Sequence, residues 1–339
     1  MRLFLKKLLY TVFPLWLLTL GLVSYLSLYI APKATGDIGR LSFIPFGEDY
    51  NQKFESEFIK DTLFASVYDV DKLRCVKADV LTIGDSFSAR KREGYQNYLS
   101  RLGLNVVNCD RVMYSDQFQF AYNILKLGYV DSTNIKNLII ECAERGVISH
   151  LLAFKENANS MASKETSNVE NTNKSAANVW SLSRTRDFIL YRMGIVMPIH
   201  RASLDGEFFS CSYSDKLFFL DADLKGIKLT ESNKRQMKKN YEIVAHAAKN
   251  RHINLILMIA VDKYDLYQNK IIDNKFPCKT INEDLREIFK DNEHLMITKD
   301  YLLPYVDRGE KDVFWANDTH WSYKGAEIVA KGLLDYIKR

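Results

Sequence analysis

The amino-terminal end of this chain carries an apolar run that only a membrane or a large protein core can accommodate. Residues 8–31 are almost uninterrupted apolar sequence without a charge, and only Pro14 and Gly21 break the pattern. A helix of this length crosses a hydrocarbon core of roughly 30 Å. Three cations precede the run: Arg2, Lys6 and Lys7. Because the positive-inside bias keeps that end in the cytoplasm, we expect a single-pass anchor in the cytoplasmic (inner) membrane with the remainder on the periplasmic, extracytoplasmic side.

A cleaved signal peptide is the alternative interpretation of this run. The apolar region of a signal peptide usually spans ~7–15 residues, and this run is longer. Pro32, which directly follows Ala31, also makes a poor cleavage site. The sequence therefore favours an uncleaved anchor.

The composition argues against several other classes of protein. Three of the net +5 charges lie before the apolar run, so the remainder is too weakly basic to indicate a nucleic-acid partner. The five cysteines have no CxxC spacing, so no zinc or thioredoxin-like site is indicated. We expect neither a metal nor a cofactor.

From about residue 74 onward, short apolar runs alternate with longer amphipathic segments. Four of the short runs are typical of buried strands: 80–83, 104–107, 138–140 and 253–260. Strands that alternate with helices predict right-handed βαβ units and a central parallel sheet covered on both faces. The expected fold class is therefore α/β, with a three-layer α/β/α arrangement preceded by one transmembrane helix.

Three regions follow from these patterns. Residues 1–31 form the cytoplasmic tip and the anchor, residues 32–73 a linker and lead-in, and residues 74–339 one globular domain. Within that domain, residues 155–178 are rich in Ser, Asn, Lys, Glu and Ala, with almost nothing to bury. This composition predicts a polar, mobile insertion.

A Gly-Asp-Ser segment at 84–86 directly follows the strand predicted at 80–83. In a doubly wound sheet, ligands bind beyond the carboxyl ends of the strands, which is where this spacing places Ser86. Ser and Asp are also preferred helix caps, so Ser86 either caps a helix, acts as a nucleophile, or does both. A helix amino terminus at this position would also stabilise an oxyanion.

Among the six histidines, only His320 has a carboxylate two residues before it. In extended chain, residues i and i+2 project to the same side, so Asp318 can reach the His320 ring. An Asp in that position holds the imidazole in the tautomer that a serine nucleophile requires. The alternative is that Asp318 only caps the terminal helix. The presence of Ser86 favours a Ser86–His320–Asp318 triad.

A third strand end carries two charged residues, Glu141 and Arg145, directly after the strand predicted at 138–140. Carboxyl ends of parallel strands meet at one edge of the sheet, so this pair points toward the edge that carries Ser86. Arg145 would donate to a developing oxyanion or bind an anionic sugar. An ion pair with Glu141 that fixes the loop is the equally favoured alternative.

Together these segments resemble the SGNH (GDSL-type) hydrolase superfamily, which combines an early Gly-Asp-Ser, a late Asp/His pair and an alternating α/β core. The chain is most similar to its membrane-linked, alginate O-acetyltransferase-like branch. There, Asp-Thr-His-Trp followed by Gly resembles the segment at 318–325. The segments at 140–145 and 262–267 are similar to that branch as well, and the likeness covers about residues 75–150 and 215–335.

The resemblance implies an SGNH-like fold and a serine-dependent O-acetyltransferase. Ser86 would be the nucleophile, His320 the general base and Asp318 its orienting acid. Three further residues would bind substrate or stabilise the oxyanion: Arg145, Glu141 and Trp321. The implied acceptor is a polysaccharide outside the cytoplasmic membrane, with acetyl supplied by a partner membrane acyltransferase. A carbohydrate or lipid esterase with the same triad and an inactive SGNH-like scaffold that binds glycan are the two alternatives.

Overall fold

The computed structural model describes residues 2–25, 35–42, 52–157, 198–225 and 229–338, together with positions 44, 46, 50, 190 and 193. Of the insertion predicted at 155–178, all but the first three residues lie outside the described part of the chain. Helix α1 (Arg2–Tyr25) comes first. Between Lys6 and Tyr25 it is long and apolar enough to span a membrane, and none of that segment is buried.

A six-stranded sheet forms the centre of the described structure. In chain order the strands are β1 (Ala65–Val67), β2 (Val80–Ile83), β3 (Val106–Cys109), β4 (Asn137–Ala143), β5 (Ile199–Ser203), β6 (Lys216–Leu220), β7 (Asn254–Ala260) and β8 (Leu295–Ile297). The order across the sheet is β1-β3-β2-β4-β7-β8, and every neighbouring pair is parallel. Strands β5 and β6 form a separate antiparallel pair.

Helices cover both faces of this sheet. After α1 they are α2 (Gly36–Ser42), α3 (Tyr95–Arg101), α4 (Gln117–Lys126), α5 (Glu144–Ala153), α6 (Asp221–Leu224), α7 (Glu231–Lys249), α8 (Lys263–Tyr267), α9 (Ile281–Ile288), α10 (Lys299–Asp307) and α11 (Tyr323–Ile337). Successive strand residues point to opposite faces, so Val80 packs with α3 and α11 while Leu81 packs with α4, α5 and α7. The predicted α/β class with a central parallel sheet is confirmed.

The winding of the sheet reverses its direction at β2. The chain passes from β2 to β3 on one side and then returns to β4 on the other side of β2. Where the winding direction reverses in this way, the loops beyond the strands diverge and leave room for a ligand. The Gly-Asp-Ser turn after β2 and the charged residues at the end of β4 both lie at this point.

The lead-in predicted at 32–73 takes part in the folded domain. Strand β1 pairs with β3 at the edge of the central sheet. The Tyr50 and Phe54 rings are buried against Trp315, with ring centroids 5.8 and 5.5 Å apart. The aromatic residues of this region do not recur at helix or strand spacing, so the sequence does not indicate how they fold. Each of them nevertheless buries a large apolar area. This part of the chain therefore supports the later segment at 312–323.

Candidate active site

Ser86 lies in the turn that follows β2, and Asp85 ties this turn to two strands. Asp85 Oδ1 accepts the N–H of Phe87 at 3.0 Å, and its Oδ2 accepts the N–H of Ala143, at the end of β4, at 2.7 Å. Helix α3 begins only at Tyr95. Ser86 therefore does not cap a helix, and the expectation of a helix amino terminus at the serine is wrong.

Glu141 supports the turn from within the core. Its side chain is fully buried, and Oε2 accepts the Ser88 hydroxyl at 2.8 Å and the Asp85 N–H at 3.0 Å. Burial, followed by the charge of Asp85, raises the pKa of Glu141 well above its ordinary value. A Cβ at Gly84 would collide with both Ser88 and Glu141, so only glycine fits there. Glu141 thus braces the serine turn from a position without solvent contact.

The structure brings the three residues of the predicted triad together. Ser86 Oγ lies 2.7 Å from His320 Nε2, and His320 Nδ1 lies 2.5 Å from Asp318 Oδ1. The backbone N–H of His320 also donates to Asp318 Oδ1, at 3.1 Å. Asp318 thus accepts hydrogen bonds from both the ring and the backbone N–H of His320. The loop that carries both residues therefore fixes the orientation of the imidazole. This is the arrangement that a serine nucleophile requires.

Arg90 joins this group, although no periodic pattern or motif in the sequence indicates it. Its Nη2 lies 2.6 Å from Asp318 Oδ1 and 2.7 Å from His320 Nδ1. A carboxylate only accepts hydrogen bonds, so the proton on Nδ1 points to Asp318 and Arg90 donates to the carboxylate. Burial opposes the charge of Asp318, but Arg90 and His320 hold the pKa of Asp318 well below its usual range. The one sequence signal is that a buried acid requires a cation, and Arg90 follows Ser86 by four residues.

Asp37, from helix α2, is a second carboxylate beside the imidazole. Its Oδ2 lies 3.7 Å from His320 Nδ1. The ligand atoms of Asp37, Asp318 and His320 are close enough to one another to hold a metal ion. Arg90 Nη2 already contacts two of these three residues, so a metal ion would have to displace the guanidinium.

A buried lysine holds the loop that carries Asp318 and His320. Lys263 Nζ donates to the carbonyl oxygens of Trp315, Ala316 and Asp318 at 2.7, 3.0 and 3.2 Å. Burial lowers the pKa of Lys263 to about 8. The Asp-Lys-Tyr element at the start of α8 therefore supports the loop that carries Asp318 and His320.

We expect the free energy of unfolding to rise between pH 7.5 and 9.5 because of Lys263. The pKa of this side chain is about 8 in the folded chain, against roughly 10.4 for an unfolded lysine. The folded chain thus releases the proton first, the unfolded chain binds more protons in this window, and stability increases with pH. The expected gain is on the order of 2 kcal/mol. Urea midpoints at both pH values measure it, and Lys263→Met should lack this increment. Equal pH responses of the two proteins would contradict the assignment.

The contacts that Arg145 and Trp321 make do not involve the predicted oxyanion site. Arg145 Nη1 forms ion pairs with the buried carboxylates of Asp262 and Asp223, and so does not form the alternative pair with Glu141. Trp321 is 1% exposed, and its ring centroid lies 4.4 Å from that of Phe87. Neither residue makes a contact that supports substrate binding, and that role stays a prediction.

The Ser86 turn offers one donor for an oxyanion. The Ser86 N–H donates no hydrogen bond to any of the residues that the structure describes. Backbone N–H groups beside a nucleophile are the usual donors to the negatively charged oxygen of acyl transfer. The turn thus combines the nucleophile with at least one group that can stabilise developing charge.

Comparisons with models of protein families, with curated proteins and with solved structures gave no match. The geometry of the site and the sequence motifs that build it are therefore the basis for proposing a function.

Proposed function

We propose that this protein is an SGNH-like, extracytoplasmic O-acetyltransferase that carries acetyl on Ser86 and transfers it to a polysaccharide hydroxyl. The observation that carries the proposal is the continuous chain of contacts from Ser86 through His320 and Asp318 to Arg90. These contacts are 2.7, 2.5 and 2.6 Å long. Two separate segments of sequence, the turn after β2 and the loop before α11, supply the four residues, and each contact has the polarity that acyl transfer needs.

In the first half-reaction, Ser86 Oγ attacks the carbonyl carbon of the acyl donor while His320 Nε2 takes its proton. The resulting imidazolium gives that proton to the leaving group, and the acetyl ester remains on Ser86. Ionised Asp318 keeps the other ring proton on Nδ1, so that Nε2 presents its lone pair to the serine. Arg90 favours this ionised form of Asp318.

In the second half-reaction, His320 removes the proton of a sugar hydroxyl while the oxygen of that hydroxyl attacks the Ser86 ester. The imidazolium then returns the proton to Ser86 Oγ, and the acetylated sugar leaves. The Ser86 N–H stabilises the oxyanion in both halves. The same steps with water as the acceptor would give an esterase, so the identity of the acceptor decides between the two activities.

Helix α1 supports a location of the proposed reaction at a membrane. The segment Lys6–Tyr25 is long and apolar enough to cross a membrane, and the cations that precede the apolar run favour a cytoplasmic amino terminus. The domain would then face the periplasm, where acetyl-CoA is absent. A partner membrane acyltransferase that delivers acetyl across the membrane would meet this requirement.

Acetyl transfer can be measured directly against hydrolysis. The full chain in detergent micelles is given 4-nitrophenyl acetate with and without oligosaccharide acceptors, and acetylated sugar and free acetate are quantified together. We expect acetylated sugar to exceed acetate with at least one acceptor, and intact mass to show one acetyl group on the protein. Dominant hydrolysis with every acceptor would favour the esterase. An absent acyl-enzyme would favour the inactive scaffold.

A further inference from the structure

We propose that the segment directly after the membrane anchor completes the active site, with Asp37 as a positioning residue for His320. The segment comprises Thr35 and helix α2 (Gly36–Ser42). The inference rests on the acyl-transfer function proposed above, because it concerns the base of that reaction. It assigns a catalytic consequence to a stretch of chain that the sequence pattern indicates only as a linker.

Two hydrogen bonds hold this segment against Asn317, the residue that precedes Asp318. The Gly39 N–H donates to the Asn317 carbonyl oxygen at 3.0 Å, and Asn317 Nδ2 donates to Thr35 Oγ1 at 2.8 Å. Gly36 has a φ of +71°, and a Cβ there would collide with the Asn317 backbone. Glycine is required both for that backbone conformation and for the close approach. The two segments are therefore fitted to each other rather than merely adjacent.

The Asp37 carboxylate contacts the catalytic loop one residue further along. Its Oδ1 accepts the Thr319 N–H at 2.7 Å, and its Oδ2 accepts the Thr319 hydroxyl. Thr319 lies between Asp318 and His320, so this double contact fixes the peptide that orients both. Charge-assisted hydrogen bonds of this kind are shorter and stronger than neutral ones.

Asp37 also balances the charge that the reaction creates. Asp37 Oδ2 lies 3.7 Å from His320 Nδ1, and its side chain is 29% exposed. Besides Asp37, four charged groups act on this site: Asp318 on the loop itself, Arg90 and Glu93 in the turn after β2, and Lys263 on α8. Arg90 is paired with Asp318 and Lys263 with loop carbonyl groups, so Asp37 is the second anion for the imidazolium.

The test is Asp37→Asn in the full chain, which removes the charge and keeps an acceptor for the Thr319 N–H. We expect kcat for 4-nitrophenyl acetate to fall by about 10-fold, because the imidazolium loses a stabilising anion. KM should not change, because Asp37 would not contact the substrate.

Two further variants keep the test decisive if Asp37→Asn folds poorly. Thr319→Val removes the hydroxyl that contacts Asp37 and lies 3.3 Å from His320 Nδ1 but leaves the Asp37 charge, so kcat should fall while KM stays unchanged. Asp61→Asn, at an exposed acid of the same lead-in, is the matched control and should behave as the wild type.

The outcomes separate this inference from the proposed function. If wild type forms an acyl-enzyme and Asp37→Asn matches it in kcat, the inference is wrong and the function stands. A change in KM alone, with kcat unchanged, in folded Asp37→Asn also overturns it. If wild type and Asp61→Asn both form no acyl-enzyme, the function and the inference fail together.

Discussion

Replacing Ser86 with Ala is expected to abolish the acyl-enzyme and to lower kcat by about 10⁴- to 10⁶-fold, as for other serine triads. Ser86 Oγ is the hydroxyl that His320 Nε2 contacts, at 2.7 Å. Intact mass after incubation with 4-nitrophenyl acetate reports acylation, and initial rates report kcat. His320→Ala should cost a similar factor. Because the two residues act as a unit, the double variant should be little worse than either single one.

Ser88 provides the matched control for this experiment. It lies two residues away and is 2% exposed, and its hydroxyl donates to Glu141 rather than to His320. Ser88→Ala should therefore still be acylated, while it loses about 1 kcal/mol of stability with the buried hydrogen bond. Acetylation that persists in Ser86→Ala but disappears in Ser88→Ala would show that Ser88, and not Ser86, is the nucleophile.

Asp318→Asn is expected to lower kcat by about 10³- to 10⁴-fold without preventing folding. The Asn amide can donate to His320 Nδ1, which moves the ring proton to Nε2 and removes the lone pair that should accept the Ser86 proton. The change also leaves the Arg90 guanidinium, which lies 2.6 Å from the carboxylate, without its partner. Steady-state kinetics and the thermal midpoint, measured on the same preparation, separate the loss of chemistry from the loss of fold.

Asp312→Asn is the control for Asp318→Asn. Asp312 is also buried in the segment before α11, but its carboxylate accepts hydrogen bonds from Tyr50 and the Ser210 N–H. This variant should lower stability and leave kcat per folded molecule within a few-fold of the wild type. If Asp318→Asn retains kcat to the same extent, Asp318 does not orient the base.

Local patterns were sufficient for the central part of the site. Ser86 directly follows a buried apolar strand, and Asp318 and His320 are separated by one residue in extended chain, so neighbouring residues determine their positions. The strand predicted at 104–107 lies at 106–109 in the structure, because pairing with β2 decides where the strand begins and ends. Such boundaries depend on tertiary contacts that a single segment does not contain.

The partners of the charged residues could not be predicted in the same way. Arg90 lies in a run of cations that is typical of a solvated turn, and only the folded loop brings Asp318 to it. Asp37 lies beyond the apolar amino-terminal run, in a stretch without a periodic pattern. Its partner Thr319 is 282 residues further along the chain. Arg145 was placed at the correct strand end, yet its partners Asp262 and Asp223 come from other elements. Long-range pairing of charges leaves no periodic trace in sequence.

If helix α1 spans a membrane, the contact between Thr35 and Asn317 limits how far from that membrane the proposed reaction can take place. Nine residues separate Tyr25, at the end of α1, from Thr35. Even a fully extended chain of that length spans at most ~35 Å. Because Thr35 is hydrogen-bonded to the loop of Asp318, Ser86 would work inside a thin layer at the bilayer surface. A donor in the same membrane would then be encountered by lateral diffusion at a high effective concentration, whereas a freely diffusing donor would gain nothing from the anchor.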